Sequence, residues 1–203
     1  PREFLAHVAA TAQRALTECT GDALVFLPGA REVDDVTTRL LESLPQEIDV
    51  LPLHGRLSAR AQDAALAPSP PGHRRVVVAT NVAESSLTVP GVHIVIDAAL
   101  SRQPRLDVAR GMSGLVTVGA SRSEGVQRAG RAGREGPGAV YRCCSPADWA
   151  RAPQAPVPEI LSADLTRLVL ELAVWGAPDA AGLSWIDPPP APAMEAARGA
   201  LQR

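Results

Sequence analysis

The residues with the clearest chemical potential lie in an arginine-rich octet, residues 127–134. Arg131 and Arg134 are three residues apart, so on one helical turn they share a face. Gly130 and Gly133 allow a bulky ligand to approach the backbone. Two forked guanidinium groups directed at one point suit a polyanion such as a phosphate chain. A solvated arginine face is the alternative, but two glycines cost a helix about 1 kcal/mol each, which favours a phosphate site.

Three polar stretches each follow a predicted strand directly: residues 28–32, 54–58 and 80–88. In open α/β sheets, ligands bind beyond the carboxyl ends of the strands. The third stretch is rich in hydroxyl and amide groups, and we predict that it lies at a helix N-terminus able to hold a phosphate. A plain capped turn fits that stretch equally well on its own. His54, at a strand end, is more often structural than catalytic.

Apolar periodicity predicts the elements that position these residues. Predicted helices cover residues 3–19, 31–44 and 58–66, and predicted strands cover residues 23–27, 48–53, 74–79, 92–96 and 138–143. This alternation indicates βαβ units, hence an α/β fold with a parallel sheet and helices on both faces. Alternating residues around Arg110 and Gly111 predict a β-hairpin over residues 102–118.

A change of composition after Ser145 predicts a domain boundary near residue 150, with a proline-rich linker beyond it. An apolar stripe over residues 161–175 predicts a helix ended by Gly176. A last helix is predicted over residues 193–201, and little chain remains to cover the stripe. We therefore predict one domain over residues 1–150 and the opening elements of another over residues 151–203.

Composition narrows the classes of partner. The chain has 203 residues, a net charge of −2 and no lysine, so a nucleic acid would be held by local groups rather than by bulk attraction. Three cysteines without metal-ligand spacing indicate no metal site and fit a reducing cytoplasm. No apolar run is long enough to span a membrane.

The sequence lacks a glycine-rich loop ending in Gly-Lys-Ser or Gly-Lys-Thr, and it lacks an acidic pair placed to hold Mg²⁺. We therefore expect this chain alone neither to bind a nucleoside triphosphate tightly nor to hydrolyse it. The chain begins without methionine, which suggests a piece of a longer protein. We expect the phosphate cradle on a domain upstream.

Residues 127–134, 80–88 and 176–190 together resemble the second RecA-like domain of DEAH-box superfamily 2 helicases, in particular the bacterial HrpB type. The octet matches the family's motif VI, and residues 80–88 match its motif V. Residues 24–32 and 52–57 are similar to motifs IV and IVa. The resemblance implies a RecA-like sheet with a β-hairpin insertion, followed by the short helical start of a winged-helix region.

The resemblance also implies residue roles. Arg131 and Arg134 would reach the γ-phosphate as arginine fingers, typically worth about 10³–10⁵ in rate, and Gln127 would orient the attacking water or the phosphate. Further implied contacts are to nucleotide from Ser86, Thr88 and Arg128, and to nucleic acid from Thr80, Asn81 and Gly55. ATP or another nucleoside triphosphate, with Mg²⁺, would be held mainly by the upstream RecA-like domain. Single-stranded RNA or DNA is the implied polymer, and the hairpin would help to part strands.

Three positions depart from the family's pattern. Pro90 stands where an acidic residue often contacts the ribose, and Leu66 where an aromatic residue commonly covers the base. Residues 97–100 read Asp-Ala-Ala-Leu rather than the commoner Asp-Ser-Gly-Leu. Pro90 and Leu66 leave open a second hypothesis, in which the chain is a non-catalytic nucleic-acid-binding or protein-interaction module that retains the helicase fold.

Overall fold

The computed structural model describes residues 2–84, 87–107 and 112–202. Its main element is a parallel sheet of five strands: β1 (Asp22–Phe26), β2 (Ile48–Leu53), β3 (Arg74–Ala79), β4 (Val92–Asp97) and β7 (Ala139–Arg142). The strand order is β2-β3-β1-β4-β7, with every neighbouring pair parallel. Each observed strand end lies within one residue of its predicted position, so the predicted sheet is confirmed.

The helices of the sheet region are α1 (Arg2–Glu18), α2 (Ala30–Ser43), α3 (Ala59–Leu66), α4 (Arg122–Ala132) and α5 (Pro146–Arg151). The first three were predicted, and α4 carries most of the arginine octet. Helix α5 was not predicted. Ser145 caps α5 by accepting a hydrogen bond from the Asp148 amide, and Pro146 occupies the first turn, where a missing N–H costs nothing.

Two apolar clusters cover the two faces of the sheet, because successive side chains of a strand point to opposite sides. Val25, Val78 and Ile96 lie with α1 and α2 in one cluster. Leu24, Val77 and Val95 lie in the other, which also contains Ala65 of α3 and Ala132 of α4. The prediction of helices on both faces is therefore confirmed.

Helix α4 runs back along β4. At its start, the Ala120 amide donates to the Ala99 carbonyl, just beyond the carboxyl end of β4. At its end, the Ala132 carbonyl approaches Gly138, and a Cβ on Gly138 would lie 2.2 Å from that oxygen and 2.6 Å from the His93 carbonyl oxygen. The octet therefore ends beside the amino end of β4.

The chain divides into two compact units, Pro1–Ser101 with Thr117–Pro156, and Arg102–Val116 with Val157–Arg203. Strands β5 (Leu100–Asp107) and β6 (Met112–Gly119) form the two-stranded sheet that the hairpin prediction requires. The predicted turn residues Arg110 and Gly111 lie outside the described residues.

In the second unit, α6 (Thr166–Trp175) follows a 3-10 helix, Glu159–Leu161, and packs against α7 (Ala191–Leu201). Their shared cluster contains Leu165, Val169, Leu172, Met194 and Ala197. The expectation that α6 lacks a partner is wrong, because α7 covers its stripe. Gly176 ends α6 with φ of 90°, as a left-handed cap requires. No helix in the described ranges is long and apolar enough to cross a membrane.

We predict that Gly138→Ala destabilises the chain by about 2–4 kcal/mol, because the added Cβ overlaps two backbone carbonyls that cannot move independently. Denaturant unfolding measures the change. Gly133→Ala is the matched control, since a Cβ there meets no atom within 4 Å, and its free energy of unfolding should change by less than about 1 kcal/mol. Equal losses in the two variants would contradict this account of the α4–β7 junction.

Candidate functional site

A cleft of about 430 Å³ lies at the end of α4, lined by Glu84, Gln127, Gly130, Arg131 and Arg134. It brings together the three residues predicted to be catalytic. The helix ends at Ala132 with Gly133 as its cap, so the expectation that Arg131 and Arg134 share a helical face is wrong. The two arginines meet at the cleft because the chain turns after the helix.

The three predicted catalytic residues differ in how firmly they are held. Gln127 and Arg134 are exposed, and neither has a hydrogen-bond or ion-pair partner among the described residues. Arg131 is half-buried; its Nη1 donates to the Leu87 carbonyl at 3.2 Å and its Nη2 donates to the Glu84 carbonyl. The cleft therefore combines one fixed guanidinium with one free guanidinium.

The two arginines of the cleft influence each other electrostatically. Burial lowers the pKa of Arg131, and the positive charge of Arg134 lowers that pKa further. An arginine remains charged at neutral pH even so. Two neighbouring cations facing an open cleft repel each other, and an anion between them would relieve that repulsion.

Arg128 is placed differently, in the interior, where it is only 2% exposed. Its Nε donates to Glu84 Oε2 at 3.0 Å, and its Nη1 donates to Asp97 Oδ1 at 2.8 Å and to the Leu100 carbonyl at 3.1 Å. Burial would lower the pKa of Arg128, but Asp97 and Glu84 outweigh burial and raise it. This geometry favours a positioning role over the predicted nucleotide contact.

Glu84 is a site residue that sequence reasoning missed. Its side chain binds Arg128, its main-chain carbonyl accepts from Arg131, and it lines the cleft. Burial raises the pKa of Glu84, and Arg128 opposes that rise. An acidic residue inside a stretch of hydroxyl and amide groups was the available signal, because a buried carboxylate requires a cationic partner.

The start of α4 is fixed by a second carboxylate, Glu124. Ser121 and Glu124 form a capping box, and the Ser101 hydroxyl donates to Glu124 Oε1 at 2.6 Å. Burial would raise the pKa of Glu124, but the hydrogen bonds from Ser101 and Ser121 outweigh it and lower the pKa. Glu124 lies 4.0 Å from Arg128 Nη2, so it completes a ring of three carboxylates around one arginine.

The residues predicted to bind nucleic acid lie at the carboxyl edge of the sheet. The Thr80 amide donates to the Leu53 carbonyl at 3.1 Å, which joins the loops after β2 and β3. Asn81 and Gly55 are exposed there, and Thr80 is half-buried. The predicted helix N-terminus is wrong in detail: a three-residue 3-10 helix, Asn81–Ala83, follows Thr80, whose side chain does not cap it.

Residues of the stretch 80–88 lie both at the carboxyl edge of the sheet and at the arginine cleft. The stretch begins at the carboxyl edge with Thr80 and reaches the arginine cleft at Glu84 and Leu87. Thr88, predicted to contact nucleotide, is exposed beside Leu87, whereas Ser86 lies outside the described residues. One loop thus carries a candidate nucleic-acid contact at one end and the acceptors for Arg131 at the other.

The structure shows the surroundings of the residues that depart from the family's pattern, and of His54. Ala99, at the position where glycine is commoner, has φ of 55°, a conformation that costs a non-glycine residue about 1–2 kcal/mol. The Pro90 carbonyl accepts from Arg75 Nη2 at 2.9 Å, and Leu66 packs partly buried against the second apolar cluster. His54 is buried, with Nδ1 accepting from the Arg56 amide at 3.3 Å, as expected of a structural histidine.

Comparison with known proteins identifies the family. Residues 7–136 match the helicase conserved C-terminal domain. The chain belongs to this family. The helicase domain is 40% identical over 195 residues to the ATP-dependent RNA helicase HrpB of Escherichia coli K12, covering 96% of this chain and 24% of that protein. It is 38% identical to the pre-mRNA-splicing factor ATP-dependent RNA helicase prp22 of Schizosaccharomyces pombe, covering 90% of this chain and 16% of that protein.

Solved structures agree with these relatives. The crystal structure of the Escherichia coli DEAH/RHA helicase HrpB superposes with a TM-score of 0.91 at 40% identity, covering 96% of this chain and 25% of that one. The inferred resemblance to DEAH-box helicases of the HrpB type is therefore confirmed, as is the RecA-like fold. The helicase domain spans a quarter or less of the length of these relatives.

We predict that Arg128→Ala lowers the free energy of unfolding of the helicase domain by about 3–5 kcal/mol, because it leaves buried carboxylates without a counter-charge. Arg134→Ala is the matched control; its exposed and unpaired side chain should change stability by less than about 0.5 kcal/mol. Unfolding in guanidinium chloride, followed by circular dichroism, measures the free energy of unfolding of both variants. A small effect at Arg128 would mean that the buried cluster does not hold the site together.

Proposed function

We propose that this chain is the C-terminal motor domain of a nucleoside-triphosphate-dependent helicase acting on RNA or DNA. In this proposal it supplies Arg131 and Arg134 to ATP, or another nucleoside triphosphate, held with Mg²⁺ by an upstream RecA-like domain. The observation that carries the proposal is the cleft in which both arginines and Gln127 converge. RNA is favoured over DNA by the names of the relatives, which are RNA helicases.

In the proposed mechanism, the upstream RecA-like domain closes onto this domain, which brings the arginine cleft against the triphosphate. Arg131 and Arg134 neutralise charge that develops on the transferred phosphoryl group, which stabilises the transition state more than the ground state. Gln127, one turn before Arg131 on α4, orients the attacking water. Because the cations are on one domain and the phosphate cradle is on another, hydrolysis depends on closure.

Single-stranded nucleic acid would bind at the carboxyl edge, where Thr80, Asn81 and the Gly55 backbone can contact phosphates and sugars. Such contacts position the strand without reading its sequence. The loop of residues 80–88 then joins strand binding to the nucleotide cleft, since its Glu84 and Leu87 carbonyls hold Arg131.

We predict that Arg134→Ala in the full-length protein reduces the kcat for nucleoside triphosphate hydrolysis by about 10³-fold or more, because a transition-state cation is lost. The residue is exposed and unpaired, so folding should not change. Steady-state phosphate release measures the effect, with Arg2→Ala, an exposed arginine of α1 outside the cleft, as the control. Activity within about threefold of the parent would show that Arg134 is not an arginine finger and would contradict the proposal.

We also predict that Asn81→Ala weakens binding of a single-stranded oligonucleotide by about threefold to tenfold, the worth of one hydrogen bond. Fluorescence anisotropy at fixed salt measures the affinity for RNA and for DNA of the same sequence. Gln13→Ala removes a side-chain amide from α1, which packs on one face of the sheet and not at its carboxyl edge. This substitution should leave both affinities unchanged. Equal weakening by the two substitutions would argue against a strand site at the carboxyl edge.

A further inference from the structure

Within the proposed function, Glu84 is notable because both its side chain and its main chain bind arginines of α4. Glu84 contacts two arginines of α4, Arg128 in the interior and Arg131 at the edge of the arginine cleft. Its carboxylate binds Arg128 and its carbonyl binds Arg131. Its side chain thus faces the protein interior while its main chain forms part of the wall of the arginine cleft.

We infer that Glu84 is a positioning residue for Arg131, held in place by Arg128, and that it sets the aim of the finger on the nucleotide. The inference rests on the proposed function, because it assigns Glu84 a role in the same hydrolysis. Glu84 itself needs no contact with nucleotide in this account.

Two contacts fix the position of the Glu84 carbonyl. The Glu84 amide donates to the Asn81 carbonyl at 2.9 Å, closing the short 3-10 turn. The bond from Arg128 Nε to Glu84 Oε2 is the side-chain anchor of that turn. A charge-assisted bond to a guanidinium is about twice as strong as a neutral one, so this anchor holds the carbonyl firmly toward Arg131.

The orientation of Arg131 depends on the position of Glu84. Its two described acceptors are both main-chain carbonyls of the same loop, those of Glu84 and Leu87. A shift of Glu84 therefore removes one of these two acceptors, and the guanidinium loses its orientation. A displacement of about 1 Å at a reacting group can cost about 100-fold in rate.

Arg128 cannot itself move easily. It is 2% exposed, lies 5.5 Å from the Phe26 ring centroid and also binds Asp97 and the Leu100 carbonyl. Its other partners belong to the end of β4 and the start of β5. Arg128 therefore ties the loop to the rigid sheet, and Glu84 is the loop's side of that tie.

The test is a double-mutant cycle in the full-length protein, read as kcat and KM for nucleoside triphosphate hydrolysis. Glu84→Ala should lower kcat by about 10- to 100-fold while KM changes less than about twofold, because the nucleotide cradle lies elsewhere. In a protein that already carries Arg131→Ala, the same substitution should cost less than about twofold more.

Glu84→Gln keeps the shape and removes the charge, so it reports on the tie even if Glu84→Ala folds poorly; it should show the same pattern at smaller size. Glu124→Gln is the matched control, since it removes a carboxylate from the same ring around Arg128 without touching the acceptors of Arg131. Because Glu124 helps to fix α4 and Arg128, the kcat of this variant should fall, but by a clearly smaller factor than that of Glu84→Gln. Thermal unfolding confirms that each variant is folded.

Two outcomes would overturn the inference alone, and a third would overturn it together with the proposed function. If the losses in kcat caused by the Glu84 and Arg131 substitutions multiply in the double variant, Glu84 acts independently of Arg131. If Glu84→Gln and Glu124→Gln lower kcat equally, the ring of carboxylates is merely structural. If Arg131→Ala alone leaves kcat within about threefold of the parent, the proposed function fails and the inference falls with it, which separates the two kinds of failure.

Discussion

The site depends on one buried cation. Arg128 is 2% exposed and lies in reach of three carboxylates, those of Asp97, Glu84 and Glu124. A guanidinium can be kept in an interior only if its donors are satisfied, and breaking such a pair typically costs about 3–5 kcal/mol. The sheet, the loop of residues 80–88, the start of β5 and helix α4 each contribute a partner. These four elements are therefore held in one arrangement by the requirement that Arg128 be paired.

This requirement explains why the three arginines of the octet differ. Arg128, Arg131 and Arg134 follow one another at intervals of three residues, so they look equivalent in the sequence. In the structure the first is buried, the second half-buried and the third exposed. Helical rotation turns Arg128 toward the sheet and Arg131 toward the cleft edge, and the end of α4 at Ala132 releases Arg134. The spacing indicates a phosphate-binding face, but only burial separates the anchoring cation from the candidate fingers.

The sheet was predictable to within a residue because its strands are short apolar runs bounded by glycine and proline. β3, with Val76, Val77 and Val78, is such a run, and both of its faces are buried. The partners of Arg128 were not predictable in the same way, since Glu84 and Asp97 are 44 and 31 residues away along the chain. Helix α5 was not predicted because it is only six residues long, although Ser145 followed three residues later by Asp148 is an N-cap signal.

The same difference in burial leaves the two arginines of the cleft ordered to different degrees. Arg131 is already oriented by two carbonyls, so little side-chain entropy remains to be lost when a ligand arrives. Arg134 is free, and ordering its side chain costs up to about 2 kcal/mol that only contact with an anion can offset. A fixed cation gives accuracy, whereas a mobile one makes the arrangement conditional on the ligand. In the proposed function, a domain built in this way would present half of a phosphate site, which would be completed only when the upstream domain closes on it.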